Sequence, residues 1–265
     1  MDNNPVGEFL RARRETVQPE DVGLYVDAGR RVSGLRREEV AQLAGISSDY
    51  YLRLEQGKDA HPSDQVVNAI AKALLLDDQA TAYLQRLVSP TATHPFAPTL
   101  ADVDPADLDF LTWWDHSAAY VTNGCQDVLA ANALAGRLAP GVYEPGRNLM
   151  LALFSDTAKA TVSDWETVAS EMLAATRERT DANDPRLHEI VGELSLTDTD
   201  FRRIWARHDV KTCTHGTTSY PIHGYGVVEL RWQQLSIRTD PRLALTTTFA
   251  LPGSQEETAL RSLLP

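Results

Sequence analysis

The sequence predicts two domains, an all-α domain of five helices over residues 1–88 followed by an α+β domain over residues 105–265. Three observations predict this division. Apolar residues recur at helical spacing throughout the first domain. Residues 89–100, SPTATHPFAPTL, hold three prolines and no helical period, which indicates a linker over residues 89–104. Beyond residue 208, apolar residues alternate with polar ones, which is typical of strands.

The first domain opens with a helix predicted between Pro5 and Val17, which Pro19 ends. Residues 18–34 are predicted to be irregular, and the basic sequence RRVSGLRR leads from them into the second helix. Because Ser and Asp favour the N-cap position, they mark where later helices begin. The fourth helix begins after Ser63, and the fifth at Asp77 and Asp78.

Two short helices around a tight turn form the centre of this domain. The first is predicted over Arg37 to Ala44, with an inner side of Val40, Ala41 and Leu43. Gly45 follows, the residue that best tolerates positive φ at a helix C-terminus. Ser47 can accept a free backbone N–H as the N-cap of the second helix, which Gly57 ends. This is the order of a helix-turn-helix, in which the second helix enters the DNA major groove.

The second of these helices is predicted to present a polar face. Its inward positions are apolar: Ile46, Tyr51 and Leu54. Ser48, Asp49 and Arg53 therefore point outward. Arg53 can donate twice to a guanine, and Asp49 can accept from a cytosine amino group. Ser47 and Arg37 are better placed for phosphates, which fix register rather than sequence. The spacing alone also allows a plain helical hairpin with a solvated face.

The residues EEVAQLAGISSDYYLRLEQG resemble the XRE-type helix-turn-helix, in particular its actinobacterial branch, and the similarity extends over Arg30 to Gly57. The resemblance implies a lambda-repressor-like five-helix fold that binds double-stranded DNA. Residues 30–37 then correspond to a phosphate-contacting loop. The candidate DNA-binding residues are Arg30, Arg31, Arg36, Arg37, Ser47, Ser48, Asp49, Tyr50 and Arg53.

The net charge of −12 at first argues against DNA binding. The acidity lies mostly in the second part, since residues 1–89 hold 11 Lys and Arg against 14 Asp and Glu, and residues 90–265 hold 14 against 23. Seven arginines cluster before and within the helix-turn-helix: Arg11, Arg13, Arg14, Arg30, Arg31, Arg36 and Arg37. A local basic face is enough for phosphate binding. The alternative is a solvated face with intrahelical ion pairs.

The second domain is predicted to alternate helices with a sheet. A hairpin of residues 118–121 and 127–131 surrounds an Asn123–Gly124 turn, and three antiparallel strands occupy residues 209–251. Helices are predicted over residues 106–116, 148–154, 185–194, 195–208 and 256–263, and a long one capped by Ser163 runs to Arg177. A mixed sheet with helices over one face has enough layers to enclose a pocket.

This order resembles the MmyB-like ligand-binding domain that accompanies such helix-turn-helix domains. The similarity covers nearly all of residues 106–260, including Ala130-Ala131-Asn132, Gly146-Arg147-Asn148-Leu149 and Asp184-Pro185-Arg186-Leu187. It implies a PAS-like fold with an apolar cavity and a fatty-acid-type ligand. The sequence departs from the family's usual His-Pro pair at Tyr220–Gly226, so that loop's ligand chemistry is not carried over.

By this analogy, the ligand contacts are expected among polar and aromatic residues of the second domain. The candidates are Asn132, Arg147, Phe154, Trp165, Trp205 and His208. Arg147 could hold a carboxylate head group in a bidentate pair. By default the aromatic residues belong to the core, because large apolar side chains usually do.

Other chemistry finds little support in the sequence. Cys213, His215 and His223 lie close together but lack paired metal-ligand spacing, so no metal site is predicted. No nucleophile elbow or glycine-rich phosphate loop is present, so neither catalytic residues nor a cofactor are predicted. No apolar run reaches the ~18 residues of a membrane span, and MDNNPVGEF is not an export signal, so a cytoplasmic protein without membrane contact is expected.

Together these features predict a cytoplasmic one-component transcription regulator whose DNA affinity responds to a small apolar ligand. One reading helix contacts few bases, so a homodimer on an inverted-repeat operator is expected, with half-sites about 34 Å apart. Two alternatives stay open: an antitoxin-like protein-interaction module that uses the acidic second domain, and an enzyme with its catalytic groups in residues 106–251.

Overall fold

The computed structural model describes residues 4–25, 30, 32–58, 61–89, 96–99, 102–103, 105–114, 116–237, 240 and 242–264. The chain divides into two compact units. The first contains Met1–His94 together with Arg202–Lys211, and the second contains Pro95–Phe201 together with Thr212–Pro265. Residues 202–211 therefore cluster with the first unit, although the sequence places them within the second domain.

Five helices build most of the first unit. They are α1 (Pro5–Thr16), α2 (Arg37–Ala44), α3 (Ser48–Glu55), α4 (Asp64–Ala73) and α5 (Asp78–Val88), and a short 3-10 helix spans Pro19–Val22. The side chains of Ser63 and Asp77 accept backbone N–H groups at the starts of α4 and α5, as predicted. The boundaries of α2 and α3 also agree with the sequence, because local capping residues determine them.

The core of the first unit consists of one face from each helix. Phe9, Val40, Tyr51, Ile70 and Leu84 are all buried in it. The prediction that Leu43 faces inward is wrong, because its side chain is 39% exposed. The buried face of α2 is formed by Val40, Ala41 and Ala44, and at 3.6 residues per turn Leu43 points away from that face.

Residues 202–211 contribute to this same core. Val210 is 8% exposed within it. The ring of His208 meets that of Phe9 edge to face at 6.5 Å, and Phe9 meets Tyr83 likewise at 5.2 Å. Arg13 Nη1 lies 3.0 Å from Asp209 Oδ1. The first unit is thus completed by a peptide that is far away in sequence.

The second unit is built on a five-stranded sheet in the order β2-β1-β5-β4-β3. The strands are β1 (Ala118–Thr122), β2 (Val128–Ala131), β3 (His215–Ile222), β4 (Gly226–Ser236) and β5 (Ala244–Phe249). Every strand pair is antiparallel, so the expectation of a mixed sheet is wrong. The three antiparallel strands predicted after residue 208 are confirmed.

The helices of the second unit are α6 (Ala133–Leu138), α7 (Leu149–Leu153), α8 (Asp156–Thr161), α9 (Trp165–Arg179), α10 (Pro185–Thr197), α11 (Thr199–Trp205) and α12 (Gln255–Arg261), and residues Pro105–Trp113 form a 3-10 helix. The α11 range extends into the residues that cluster with the first unit. Ser163 does not cap α9, because the N-cap is Asp164 at φ +49°, without a side-chain bond.

Candidate functional sites

The start of α3 is fixed by local hydrogen bonding. Gly45 adopts φ +67°, which releases the chain from α2, and Ser47 Oγ accepts the N–H of Tyr50 at 3.1 Å. Ser48, Asp49 and Arg53 are exposed, as the spacing predicts. The Arg53 guanidinium lies 5.6 Å from the centre of the Tyr50 ring. The helix therefore presents a polar face of the size that a major groove accepts.

A buried ion cluster holds α3 against α1 and α2. Glu55 on α3 has a side chain only 1% exposed, and it accepts hydrogen bonds from Arg14 Nε at 2.7 Å and Arg37 Nε at 2.5 Å. Arg14 also donates to the carbonyl of Leu35 at 2.9 Å. Because both carboxylate oxygens are bonded, the charge is compensated inside the unit. We call Arg14, Glu55 and Arg37 the Glu55 cluster.

The sequence reasoning did not identify Glu55. Its signal was its position, since Tyr51, Leu54 and Glu55 lie on one helix face and an acidic residue there needs a buried partner. The cluster also changes the role of two predicted basic residues. The Arg14 side chain is only 9% exposed, so it pairs with Glu55 inside the unit and does not face solvent. The Arg37 side chain is 43% exposed, so it bonds Glu55 while one side of it faces solvent.

Arg30 lies in the loop before α2, where the sequence predicted phosphate contacts. Its guanidinium bonds both oxygens of Glu39, at 2.7 and 2.6 Å, and donates to the carbonyl of Gly34 at 2.5 Å. Hydrogen bonding from Arg30 holds the pKa of Glu39 below its ordinary value. The side chain of Arg30 is only 7% exposed. These hydrogen bonds show that Arg30 stabilises the conformation of the loop before α2.

Arg36, unlike Arg30, has an exposed side chain. Its backbone N–H donates to Glu39 Oε2 at 2.6 Å at the start of α2. Arg31 lies outside the described residues. Among the described candidates, a strip of polar and basic groups lies along α3 and the N-terminus of α2. Its exposed members are Arg36, Ser47, Ser48, Asp49 and Arg53, and Arg37 is half-buried.

The second unit contains a cavity of about 620 Å³. Its walls come mainly from the sheet, including six consecutive residues of β3, and from the helices and loops of residues 137–175. Apolar side chains such as Leu138, Leu149, Met172 and Trp232 dominate the lining. This volume and character fall within the range of small-molecule sites.

A group of tyrosines supplies polar atoms to the cavity wall. The rings of Tyr120 and Tyr143 stack at 4.3 Å, and the hydroxyls of Tyr143 and Tyr220 lie 2.8 Å apart. Burial raises the pKa of Tyr120 and of Tyr220, so both phenols are neutral. On β3, Tyr220 lies at an alternate position from Thr218 and Gly216, which also line the cavity. The intervening residues Thr217, Ser219 and Pro221 line the cavity as well, so the alternation of the strand does not by itself identify the lining.

The described lining residues include none of the six predicted ligand contacts. Asn132 caps α6, where its Oδ1 accepts the N–H of Ala135 at 2.9 Å. Arg147 is exposed, 4.0 Å from Glu144. Trp205 and His208 fall in the residues that belong to the first unit.

Phe154 and Trp165 instead form an aromatic cluster beside the cavity residues of α7. Phe154 meets Trp165 and Phe201 edge to face, each at 5.2 Å. Trp165 Nε1 donates to the carbonyl of Leu153 at 2.6 Å. These contacts give both residues a packing role, which is the default role of large aromatic side chains.

Metal sites and membrane spans have no support in the described part of the chain. No group of three or more His, Cys, Asp or Glu side chains there could hold a metal ion. No helix among the described residues is long and apolar enough to cross a membrane. Cys213 lines the cavity, and its thiol lies 3.8 Å from the carbonyl of Glu171.

Comparison with protein families gives two matches. Residues 5–84 match a model described as a helix-turn-helix domain. Residues 103–263, more than half of the chain, match the MmyB-like transcription regulator ligand binding domain. A search of the curated proteins found no match. The two family matches confirm the resemblances that the sequence shows in its two parts.

Proposed function

Because the chain belongs to the MmyB-like transcription regulators, we propose that it is a one-component regulator that reads a specific operator with α3. The observation that carries this is the exposed polar face of α3, whose opposite side is tied to α1 and α2 by the ion pairs of the Glu55 cluster. A reading helix must be positioned within a fraction of an ångström to bond base edges. Arg53 would read a guanine, and Arg36 and Arg37 would contact phosphates.

The experiment is a fluorescence anisotropy titration with duplex DNA from upstream of the protein's own gene. Arg53→Ala should weaken specific binding by about 1–3 kcal/mol, which is roughly 5-fold to 150-fold in Kd. Lys72→Ala is the matched control, because it removes one exposed positive charge from α4 rather than from α3. Equal losses in both variants would mean that α3 supplies charge and no sequence reading.

We further propose that the protein acts as a homodimer in the cytoplasm, on an inverted-repeat operator. One α3 spans only eight residues, and pairing two copies about 34 Å apart supplies the missing affinity and specificity. Analytical ultracentrifugation with and without operator measures this. A monomer that binds one half-site with full affinity would contradict it.

The cavity is proposed as the regulatory site, with a small apolar molecule as its occupant. The chain of a fatty acid suits the apolar walls, but its carboxylate would have to reach Arg137, the cation among the described lining residues. A ligand alters DNA affinity only when it binds the DNA-competent and incompetent states differently. The peptide of residues 202–211 supports a route for this coupling. Val210 lies in the core of the DNA-binding unit, and Cys213, three residues later in the chain, lines the cavity.

A further inference from the structure

Two phenol groups supply a neutral part of the polar chemistry of the cavity wall. Two hydroxyls, those of Tyr143 and Tyr220, lie 2.8 Å apart, so one donates its proton to the other. The accepting hydroxyl keeps its own proton, and lone pairs remain on both oxygens. We call these two residues the tyrosine pair. Tyr120 also interacts with the Tyr143 hydroxyl, and Thr218 and Thr248 interact with that of Tyr220. A ligand oxygen that takes a hydrogen bond from the pair therefore competes with these neighbouring hydroxyls.

The ionisable lining residues other than Tyr and Cys are more open to solvent. Among the described lining residues they are Arg137, Glu171 and His223. Arg137 and His223 are exposed, and Glu171 is half-buried. Arg137 Nη1 donates to the carbonyl of Leu263 at 3.1 Å. These groups mark the solvent side of the cavity and leave the tyrosine pair without a charged neighbour on the described lining.

One further cation lies behind the wall. Arg179 is not a described lining residue, and its Nη1 donates to Gln234 Oε1 at 2.9 Å. Gln234 does line the cavity, and its amide nitrogen lies 3.4 Å from Thr246 Oγ1. Both ends of that amide are therefore occupied by the protein. A ligand carboxylate would have to displace Gln234 before it could pair with Arg179.

The free energy of removing a head group from water differs between charged and uncharged ligands. An ionised carboxylate loses much of its hydration in an apolar cavity, and without a cationic partner that loss is not recovered. An uncharged hydroxyl or carbonyl loses far less, and one hydrogen bond to a tyrosine hydroxyl offsets it. The lining thus favours a neutral oxygen over an anion.

We propose that the cavity takes an aliphatic molecule whose polar end is an uncharged hydroxyl or carbonyl bonded to the tyrosine pair, and that it discriminates against the carboxylate of the same chain. This rests on the proposed function only in taking the cavity as the ligand site. It names the ligand class within that site, and it assigns Tyr143 and Tyr220 as the residues that determine specificity.

The test uses the full chain and displacement of the neutral fluorophore N-phenyl-naphthylamine. Dodecanol, methyl dodecanoate and dodecanoate are compared at about pH 8, where the acid is ionised. Dodecanol and the ester should bind at least tenfold tighter than dodecanoate. Tyr220→Phe and, separately, Tyr143→Phe should weaken dodecanol binding about threefold to tenfold, the range for one hydrogen bond. Tyr225→Phe is the matched control, because Tyr225 is exposed and lies outside the described lining.

Two results would overturn the proposal. One is dodecanoate binding as tightly as dodecanol, with an affinity that falls in Arg137→Ala, which would place an anion at the mouth. The other is unchanged dodecanol affinity in both folded tyrosine variants, as checked by circular dichroism. A third result would leave the ligand class standing and contradict only the proposed regulation. In that result dodecanol binds as expected, but the operator affinity of the same preparation does not change.

Discussion

At the scale of single residues, Glu55 connects the most structure. It is an acidic side chain 1% exposed to solvent, and it joins α1, α2 and α3 through Arg14 and Arg37. Its backbone carbonyl also accepts the side-chain amide of Asn4 at 2.9 Å. Such a charge is tolerated inside only because both oxygens are paired, and removing it leaves buried Arg14 with only the exposed carboxylate of Glu15, 4.0 Å away.

Glu55→Gln should therefore destabilise the first unit by about 3 kcal/mol, because Arg14 stays buried and loses its anion. Urea unfolding followed by circular dichroism measures the change. Glu38→Gln is the control, since Glu38 is exposed on α2 and its loss should stay within about 0.5 kcal/mol. Equal effects of the two substitutions would contradict the role of the Glu55 cluster.

The pair of Arg30 and Glu39 predicts a pH dependence. The folded pKa of Glu39 is lowered from the ordinary 4.5 by the hydrogen bond from Arg30. A lowered folded pKa contributes stability above the unfolded pKa, and that contribution is lost as the pH falls through the folded value. Glu39→Gln should therefore make the loss of stability below about pH 4.5 shallower. Thermal melts across that range, with Glu38→Gln alongside, check the slope. Identical acid slopes in the two variants would contradict the prediction.

The residue scale also shows how far sequence reasoning reaches. Gly45 and Ser47 act on neighbours within four positions, so their roles follow from local chemistry and were predicted. Glu55 finds its partners 41 and 18 residues away, and a single sequence does not record such pairings. The ligand candidates illustrate the same limit, because the tyrosine pair joins residues 77 positions apart.

At the scale of elements, the close contact of α1 with α3 depends on a glycine. A Cβ at Gly7 would lie 2.1 Å from the carbonyl oxygen of Glu55, so the helices touch where Gly7 stands. Two short helices, α6 and α8, were missed from the sequence, because six residues show little of a helical period and neither is a continuous apolar run like that of α7. Longer helices such as α9 were predicted within a few residues.

Gly7→Ala should destabilise the first unit by about 1–3 kcal/mol, because α1 must move away from α3. Gly192→Ala is the matched control. Gly192 lies inside α10, and no described atom outside its own helix lies within 4 Å of the place that a Cβ would take, so its substitution should stabilise by about 0.5–1 kcal/mol. Opposite signs in chemical denaturation support the packing described, and destabilisation by both would contradict it.

The peptide of residues 202–211 makes a second prediction at this scale. Asp209 is 45% exposed and pairs with Arg13, so Asp209→Asn should cost no more than about 1 kcal/mol of stability. Because the peptide joins the cavity strand to the DNA-binding core, the same substitution should reduce the ligand-induced change in operator affinity. Anisotropy titrations with and without ligand measure that change, and Asp21→Asn in the first unit is an exposed control. Coupling that is untouched in Asp209→Asn would exclude this route.

At the scale of the whole molecule, most of the negative charge lies outside the helix-turn-helix part of the chain. The net charge is −12, and most of the excess acidity belongs to residues 90–265. We therefore expect DNA binding to depend on a local surface, the strip proposed on α2 and α3, against an acidic background. This arrangement weakens non-specific association and gives base reading a larger share of the affinity.

We propose that one chain both reads an operator and responds to an uncharged apolar molecule. The most direct measurement is operator anisotropy at fixed salt, with dodecanol raised to the concentrations that fill the cavity in the displacement assay. We expect the operator Kd to change by about fivefold or more, the range of ordinary allosteric coupling, and the Tyr220→Phe dose curve to shift to higher dodecanol concentration. An operator Kd that stays constant while the cavity fills would contradict the account.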